Sequence, residues 1–209
     1  MTNLSVSNAG LPGVTLITPR RHGDDRGYFS EVYSRPALAA YGIDSDFLQD
    51  NQSLSKAPGT LRGLHFQRPP FAQAKLVRVL RGAVFDVAVD IRRGSQTYGQ
   101  WCGATLTADG GEQLFVPRGF AHGFVTLEEN TEVAYKVDNV YSRDHEGGIA
   151  WDDPEIGIAW PWGGEVALSA KDRMLPLFAA LVSPFPVSDY AVPSPPHQAE
   201  DKARIVTAA

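Results

Sequence analysis

Between Lys75 and Val137 the sequence breaks into short β-type runs separated by turns, and no helix-length stretch interrupts them. Leu76 to Leu80 reads as a strand and Arg81-Gly82 as a turn. Ala83 to Ile91 alternates, with Phe85, Val87, Val89 and Ile91 on one face and Asp86 and Asp90 on the other. Arg93-Gly94-Ser95 turns the chain again, Tyr98 to Leu106 is a further strand, and Asp109-Gly110-Gly111 is a hairpin-type turn. Gln113 to Val116 is a strand ended by Pro117, and Phe120 to Leu127 and Glu132 to Val137 are two more, separated at Glu128-Glu129-Asn130. Many short strands at near-regular spacing specify an all-β sandwich or barrel. Strands do not alternate with long helices, and the glycine motifs of dinucleotide and P-loop sites are absent, which argues against a nucleotide-binding α/β sheet.

The flanks are less regular. Val14 to Thr18 is a short β-type run closed by Pro19, and a turn-rich loop from His22 to Gly27 leads into Tyr28 to Tyr33, an aromatic, β-branched run that reads as a strand. Ser34 can cap a short helix through Ala40, with Pro36 tolerated in its first turn and Gly42 ending it. Phe47 to Ser53 reads as a strand carrying Gln49, Asp50 and Asn51. After Val140 the pattern gives way to an aromatic-rich return segment with Trp151, Trp160 and Trp162, and a short helix is expected within Leu168 to Phe178. From about Ser183 onward Pro184, Pro186, Pro193, Pro195 and Pro196 come with little apolar periodicity. The expected organisation is one domain over residues 1–182 and a proline-rich, flexible tail over 183–209.

Composition excludes several function classes. A net charge of -5 argues against a nucleic-acid surface, although a few converging cations can still bind a small anion. No apolar run approaches the ~18 residues of a membrane span. Met1 to Gly10 is polar, with no Lys or Arg ahead of an apolar core, and does not read as a secretory signal. The single cysteine, Cys102, permits no intrachain disulfide and reads as a small buried hydrophobe. A cytoplasmic location is expected.

One stretch departs from the apolar pattern. Gly59-Thr60-Leu61-Arg62-Gly63-Leu64-His65-Phe66-Gln67 sets an arginine and a histidine among small and apolar residues in a strand context, and Lys75 opens the next strand. A polar spot in an apolar shell is the form of a site in a β protein. On these residues alone, a hydrogen-bonded core histidine beside solvated cations accounts for the stretch slightly better. Metal-binding cupins supply a His-x-His pair and a carboxylate on one strand, then a later histidine. Here His65 has only Leu64 and Phe66 beside it, while Pro117 to Gly123, with His122, resembles the second half of that pattern. Two imidazoles without a placed carboxylate make a poor zinc or iron site, so no metal is expected. A neutral imidazole is instead a base near pH 7, needing a carboxylate to fix its tautomer. Tyr135 is available as a proton donor or as a core tyrosine. Arg62 and Lys75 are available to an oxyanion or a phosphate.

The motifs occur in one order: Asp24 to Glu31, Gln49-Asp50-Asn51, Leu61 to Gln67, Lys75 to Arg78, Val84 to Arg92, Pro117 to Phe124, Tyr135-Lys136, His145 to Gly148 and Trp151 to Glu155. Together they resemble the dTDP-4-dehydrorhamnose 3,5-epimerase family, from about Val14 to Leu175. The resemblance implies a cupin-like β jelly roll, a homodimer, and no metal or organic cofactor. It implies that His65 removes the proton next to the C4 ketone of the sugar. Asp172 is the implied carboxylate partner of His65, Tyr135 the acid on the opposite face, and Lys75 the group that stabilises the enolate oxygen. Arg26, Glu31, Gln49, Asn51, Arg62, His122 and Glu146 match positions that contact a dTDP-4-keto-6-deoxy sugar nucleotide, with Arg26 and Arg62 the cations for its pyrophosphate. Tyr141 stands where the family stacks a ring on thymine. A mono-epimerase acting at C3 or C5 alone shares these residues, while a metal cupin oxygenase and a non-catalytic sugar-nucleotide binder stand further off.

Overall fold

The computed structural model describes residues 3–192 and 205–207. The first half of the chain contributes β1 (Leu4–Asn8), β2 (Thr15–Pro19), β3 (His22–Asp24), β4 (Gly27–Phe29), α1 (Arg35–Ala39), β5 (Gln49–Ser55), β6 (Leu61–Gln67) and β7 (Lys75–Arg81). The second half contributes β8 (Ala83–Asp90), β9 (Trp101–Thr107), β10 (Gln113–Val116), β11 (Phe120–Thr126), β12 (Thr131–Val137), β13 (Glu146–Gly148) and β14 (Ile205–Thr207). Two six-stranded antiparallel sheets form, ordered β1-β2-β10-β7-β12-β5 and β13-β6-β11-β8-β9-β14. The chain crosses repeatedly between them, as in a jelly roll. No helix among the described residues is long and apolar enough to cross a membrane.

Strand β8 shows why both sheets need two covers. All of its residues are buried. Val84 and Ala88 point between the sheets and pack with Cys102, Leu106, Val77 and Val133. Phe85, Val87, Val89 and Ile91 point the other way and are covered by the return segment, with Phe178 and Phe185 in the same cluster and Trp160 against it. The alternation read from sequence is therefore real, but its more apolar face lies under the C-terminal segment, and its Asp face points to the interior. Beyond the first sheet, Leu38 and Ile43 around α1 cover Ile17, Leu76 and Phe115.

Three expectations are corrected. The strand expected over Tyr28 to Tyr33 is only the short β4, paired with β3 in a hairpin that lies off both sheets. Tyr28 and Phe29 are 61% and 71% exposed, with only the Arg21 guanidinium stacked on the Tyr28 ring, 4.2 Å from its centroid. The helix expected within Leu168 to Phe178 is reduced to two 3-10 turns, Asp172–Met174 and Phe178–Ala180. Pro176 between them lacks a backbone N–H and restricts Leu175 to extended backbone.

The third correction concerns the tail. Residues 183–192 are a packed strap. Ser183 donates its hydroxyl to the Ile91 carbonyl, and the Arg93 N–H donates to Phe185 at 2.7 Å. The Val187 N–H returns to the Arg93 carbonyl at 3.0 Å. Phe185 is 1% exposed, edge-on to Phe66 at 5.8 Å and to Tyr190 at 5.0 Å. Low apolar periodicity concealed this because one large ring and a few backbone bonds suffice to dock a strap. The expectation for Pro193, Pro195 and Pro196 lies outside the described residues. Replacing Phe185 with alanine should cost about 3–5 kcal/mol, read as a lower denaturant midpoint. An unchanged midpoint would mean that the strap contributes nothing to the core.

Candidate active site

Arg62 and His65 are three residues apart, so a regular strand would point them to opposite faces. The pairing of β6 with β11 removes that difficulty. His65 lies opposite His122 and Arg62 opposite Phe124, so Gly63 and Leu64 together face the single residue Gly123. This bulge turns Leu61, Leu64 and Phe66 to the outer core and leaves Arg62 and His65 on the inner side. It requires glycine on both strands. Gly63 has φ +140°, and a Cβ there would lie 2.5 Å from the Gly123 Cα. A Cβ on Gly123 would lie 2.8 Å from the Arg62 carbonyl oxygen.

Arg62, His65, Lys75, His122, Tyr135 and Asp172 line one cavity of about 500 Å³. The two sheets contribute from opposite sides: β6 and β11 supply His65 and His122, and β7 and β12 supply Lys75 and Tyr135. An adjoining pocket of about 260 Å³ shares His65, Lys75 and Tyr135 and adds Gln49, Asn51, Tyr141 and Glu146. Arg26 and Glu31 line neither pocket. Arg26 is exposed on the hairpin and paired with Asp24, and Glu31 is exposed beyond it.

His65 Nε2 is 2.6 Å from the Asp172 Oδ1. With Nε2–H donated to that carboxylate, Nδ1 carries the free lone pair. The first 3-10 turn presents Asp172, whose backbone N–H bonds the Ser169 hydroxyl at 3.0 Å. Burial pushes the Asp172 carboxyl up, but the hydrogen bond and charge of His65 outweigh it and hold the group below the usual carboxylate range. Burial brings Lys75 down to about 8, partly opposed by Asp86. Burial likewise raises the Tyr135 phenol, while the Arg62 charge pulls it down.

His122 is 5% exposed, and burial lowers its pKa, so the ring is neutral near pH 7. Its Nε2 is 2.5 Å from Asp86 Oδ1, and its Nδ1 is 3.4 Å from the Lys75 ammonium. Both ring nitrogens are thus engaged within the protein. Among the described residues no group of three or more His, Cys, Asp and Glu side chains is placed to hold a metal ion.

Sequence reasoning missed several neighbours. Asp86 was placed on the right face of β8 but given no partner. Asp138 accepts the Ala74 N–H at 2.7 Å and pairs with Arg118 at 3.0 Å, which braces the backbone next to Lys75. Lys171 lines the main cavity and pairs with Glu146. A carboxylate inside an otherwise buried strand was the available signal for Asp86. No local pattern marks the other two.

Chemically, the cavity holds an imidazole backed by a carboxylate, a cation for developing negative charge, and a protonated phenol from the other sheet. The bulge sets their relative placement. Gly63→Ala should therefore lose about 1–3 kcal/mol of stability and at least about tenfold in turnover, read by denaturation and by steady-state kinetics. A variant with wild-type stability and turnover would contradict this role for the bulge.

Comparison with known proteins identifies the family. The family model described as dTDP-4-dehydrorhamnose 3,5-epimerase matches residues 8–180. The dTDP-4-dehydrorhamnose 3,5-epimerase of Sinorhizobium fredii is 54% identical over 168 residues, which are 80% of this chain and 86% of that protein. A solved dTDP-6-deoxy-D-glucose-3,5-epimerase from Legionella pneumophila, in complex with dTDP-4-keto-L-rhamnose, superposes with a TM-score of 0.82 at 40% identity, covering 94% of this chain and 100% of that one. A 3'-monoepimerase from Streptomyces bikiniensis, in complex with dTDP-quinovose, is more distant at 30% identity, with a TM-score of 0.79 over 91% of this chain and 94% of that one. The chain belongs to the dTDP-4-dehydrorhamnose 3,5-epimerase family.

Proposed function

We propose that this enzyme converts dTDP-4-dehydro-6-deoxy-D-glucose to dTDP-4-dehydro-L-rhamnose by inverting C3 and C5 in turn. The observation that carries this reading is the convergence of the His65–Asp172 pair, Lys75 and Tyr135 on one cavity, from opposite sheets. A proton next to a ketone is acidic only because its loss gives an enolate. In this reading His65 Nδ1 takes that proton, and Asp172 stabilises the imidazolium that results. The Lys75 ammonium sits against the C4 oxygen as it becomes negative. Tyr135 then delivers its proton to the same carbon from the opposite face. Burial keeps its phenol protonated at neutral pH, and the Arg62 charge stabilises the phenolate once formed. Return of a proton to Tyr135 and its loss from His65 reset the pair for the second carbon, since both carbons flank one carbonyl.

The adjoining pocket suits the nucleotide. Tyr141 offers a ring for thymine, Gln49, Asn51 and Glu146 offer polar contacts, and Arg62 at the rim offers a cation for the pyrophosphate. Arg26 and Glu31 lie outside the pockets of their own chain, so in this reading they reach substrate from a neighbouring copy. That makes the enzyme a homodimer, for which exposed Tyr28, Phe29, Leu54 and Leu80 offer apolar surface. We place the reaction in the cytoplasm, in keeping with the single buried cysteine.

Turnover in deuterated solvent tests the reading. The account expects deuterium at both C3 and C5 of the product, and label at one position alone would assign a mono-epimerase instead. His65→Asn should abolish exchange at both carbons while leaving dTDP-sugar binding in place. Exchange at a near wild-type rate would remove His65 as the base. Because the Lys75 ammonium is the useful form, turnover should fall as pH rises through about 8.

A further inference from the structure

Asp86 is fully buried in the middle of β8 and lies too deep to act on a sugar. One of its oxygens takes the His122 Nε2–H at 2.5 Å, and the other, Oδ2, has no hydrogen-bond partner among the described residues. A half-satisfied buried carboxylate is a poor way to stabilise a core. It does provide one thing an amide or hydroxyl side chain cannot, a strong acceptor with no donor of its own. His122 must then carry its proton on Nε2 and present a lone pair at Nδ1. That lone pair is 3.4 Å from Lys75 Nζ, and the same ammonium lies 3.5 Å from the His65 carbonyl oxygen.

We propose that Asp86 is a positioning residue for the reaction, acting through His122 to hold the Lys75 ammonium at the enolate oxygen. The inference rests on the epimerase reading above and adds a group which that reading does not use. Lys75 comes from one sheet, and its acceptors come from the other. With the opposite tautomer His122 would aim an N–H at the ammonium, donor against donor, and the cation would lose its anchor. Asp86 also favours the charged form of Lys75 through its own charge. The charged or titratable groups around the ammonium are Asp86 on β8, His122 on β11, His65 and Arg62 on β6, Tyr135 on β12, and, on the far walls of the two pockets that Lys75 lines, Lys171, Asp172, Tyr141 and Glu146. Cys102 on β9 is the further titratable group near Asp86, and burial pushes its thiol up to about 12, so it stays neutral.

Asp86→Asn is the direct test, because an amide can present either a donor or an acceptor to Nε2 and carries no charge. The expected result is a loss of roughly 10- to 100-fold in kcat with KM within about threefold of wild type. The basic limb of the kcat profile should move to lower pH, a change that a merely structural role would not produce. Unchanged kcat together with an unmoved basic limb would overturn the proposal. A second measurement needs no variant and no substrate. Nitrogen-15 shifts of His122 in the intact free protein should show a neutral ring protonated on Nε2. A ring protonated on Nδ1, or a charged ring near pH 7, would overturn the proposal even if Asp86→Asn failed to fold. If wild-type enzyme gave no deuterium exchange while His122 showed the Nε2–H tautomer, the epimerase reading would fail and the arrangement around His122 would stand.

Discussion

An ammonium held between two β-sheets is the interaction around which this site is built. Lys75 leaves the first sheet and meets its acceptors on the second, the Nδ1 of His122 and the carbonyl of His65. Withdrawal from water would strip such a cation of its proton if nothing compensated. The nearby Asp86 charge compensates in part, and Lys75 settles at about 8. The result is a cation at neutral pH that still has unspent capacity to meet new negative charge. In the proposed reaction an enolate oxygen is that kind of charge, appearing only as the proton leaves.

The second constraint is geometric. A jelly roll offers two inward faces that look at each other, so a base on one and an acid on the other approach a bound ring from opposite sides. The β6 bulge adds a refinement, since it brings Arg62 and His65 onto one face despite their spacing. Gly63 and Gly123 make that possible because neither strand could approach so closely with a Cβ in the way. Stability is supplied elsewhere. The outer face of the second sheet is covered by Trp160, Phe178 and Phe185, from the part of the chain that follows the strands.

Much of this was legible in the sequence, for identifiable reasons. The strands from Lys75 to Val137 carry strong alternation, and the structure places them close to the expected bounds. His65, Lys75, Tyr135 and Asp172 meet in one cavity, as the family resemblance implied from motifs scattered along the chain. What was not legible depends on contacts far apart in sequence. The strap at Phe185 looked like a tail because its packing depends on one ring. The Asp86–His122 bond joins residues 36 positions apart. Spacing alone misjudges Arg62 and His65, because a bulge has no period. Arg26 and Glu31 look like site residues in their motif, yet the isolated chain holds Arg26 on an exposed hairpin and Glu31 exposed just beyond it.

The central claim is that base and acid are separate groups on opposite sides of the bound sugar. Substituting Tyr135 with phenylalanine and following substrate in deuterated water tests it most directly. If His65 alone abstracts the proton, recovered substrate should gain deuterium with its configuration retained, while epimerised product falls by at least about 10²-fold. Loss of exchange and product together, with the sugar nucleotide still bound, would contradict the division of labour between the two sheets.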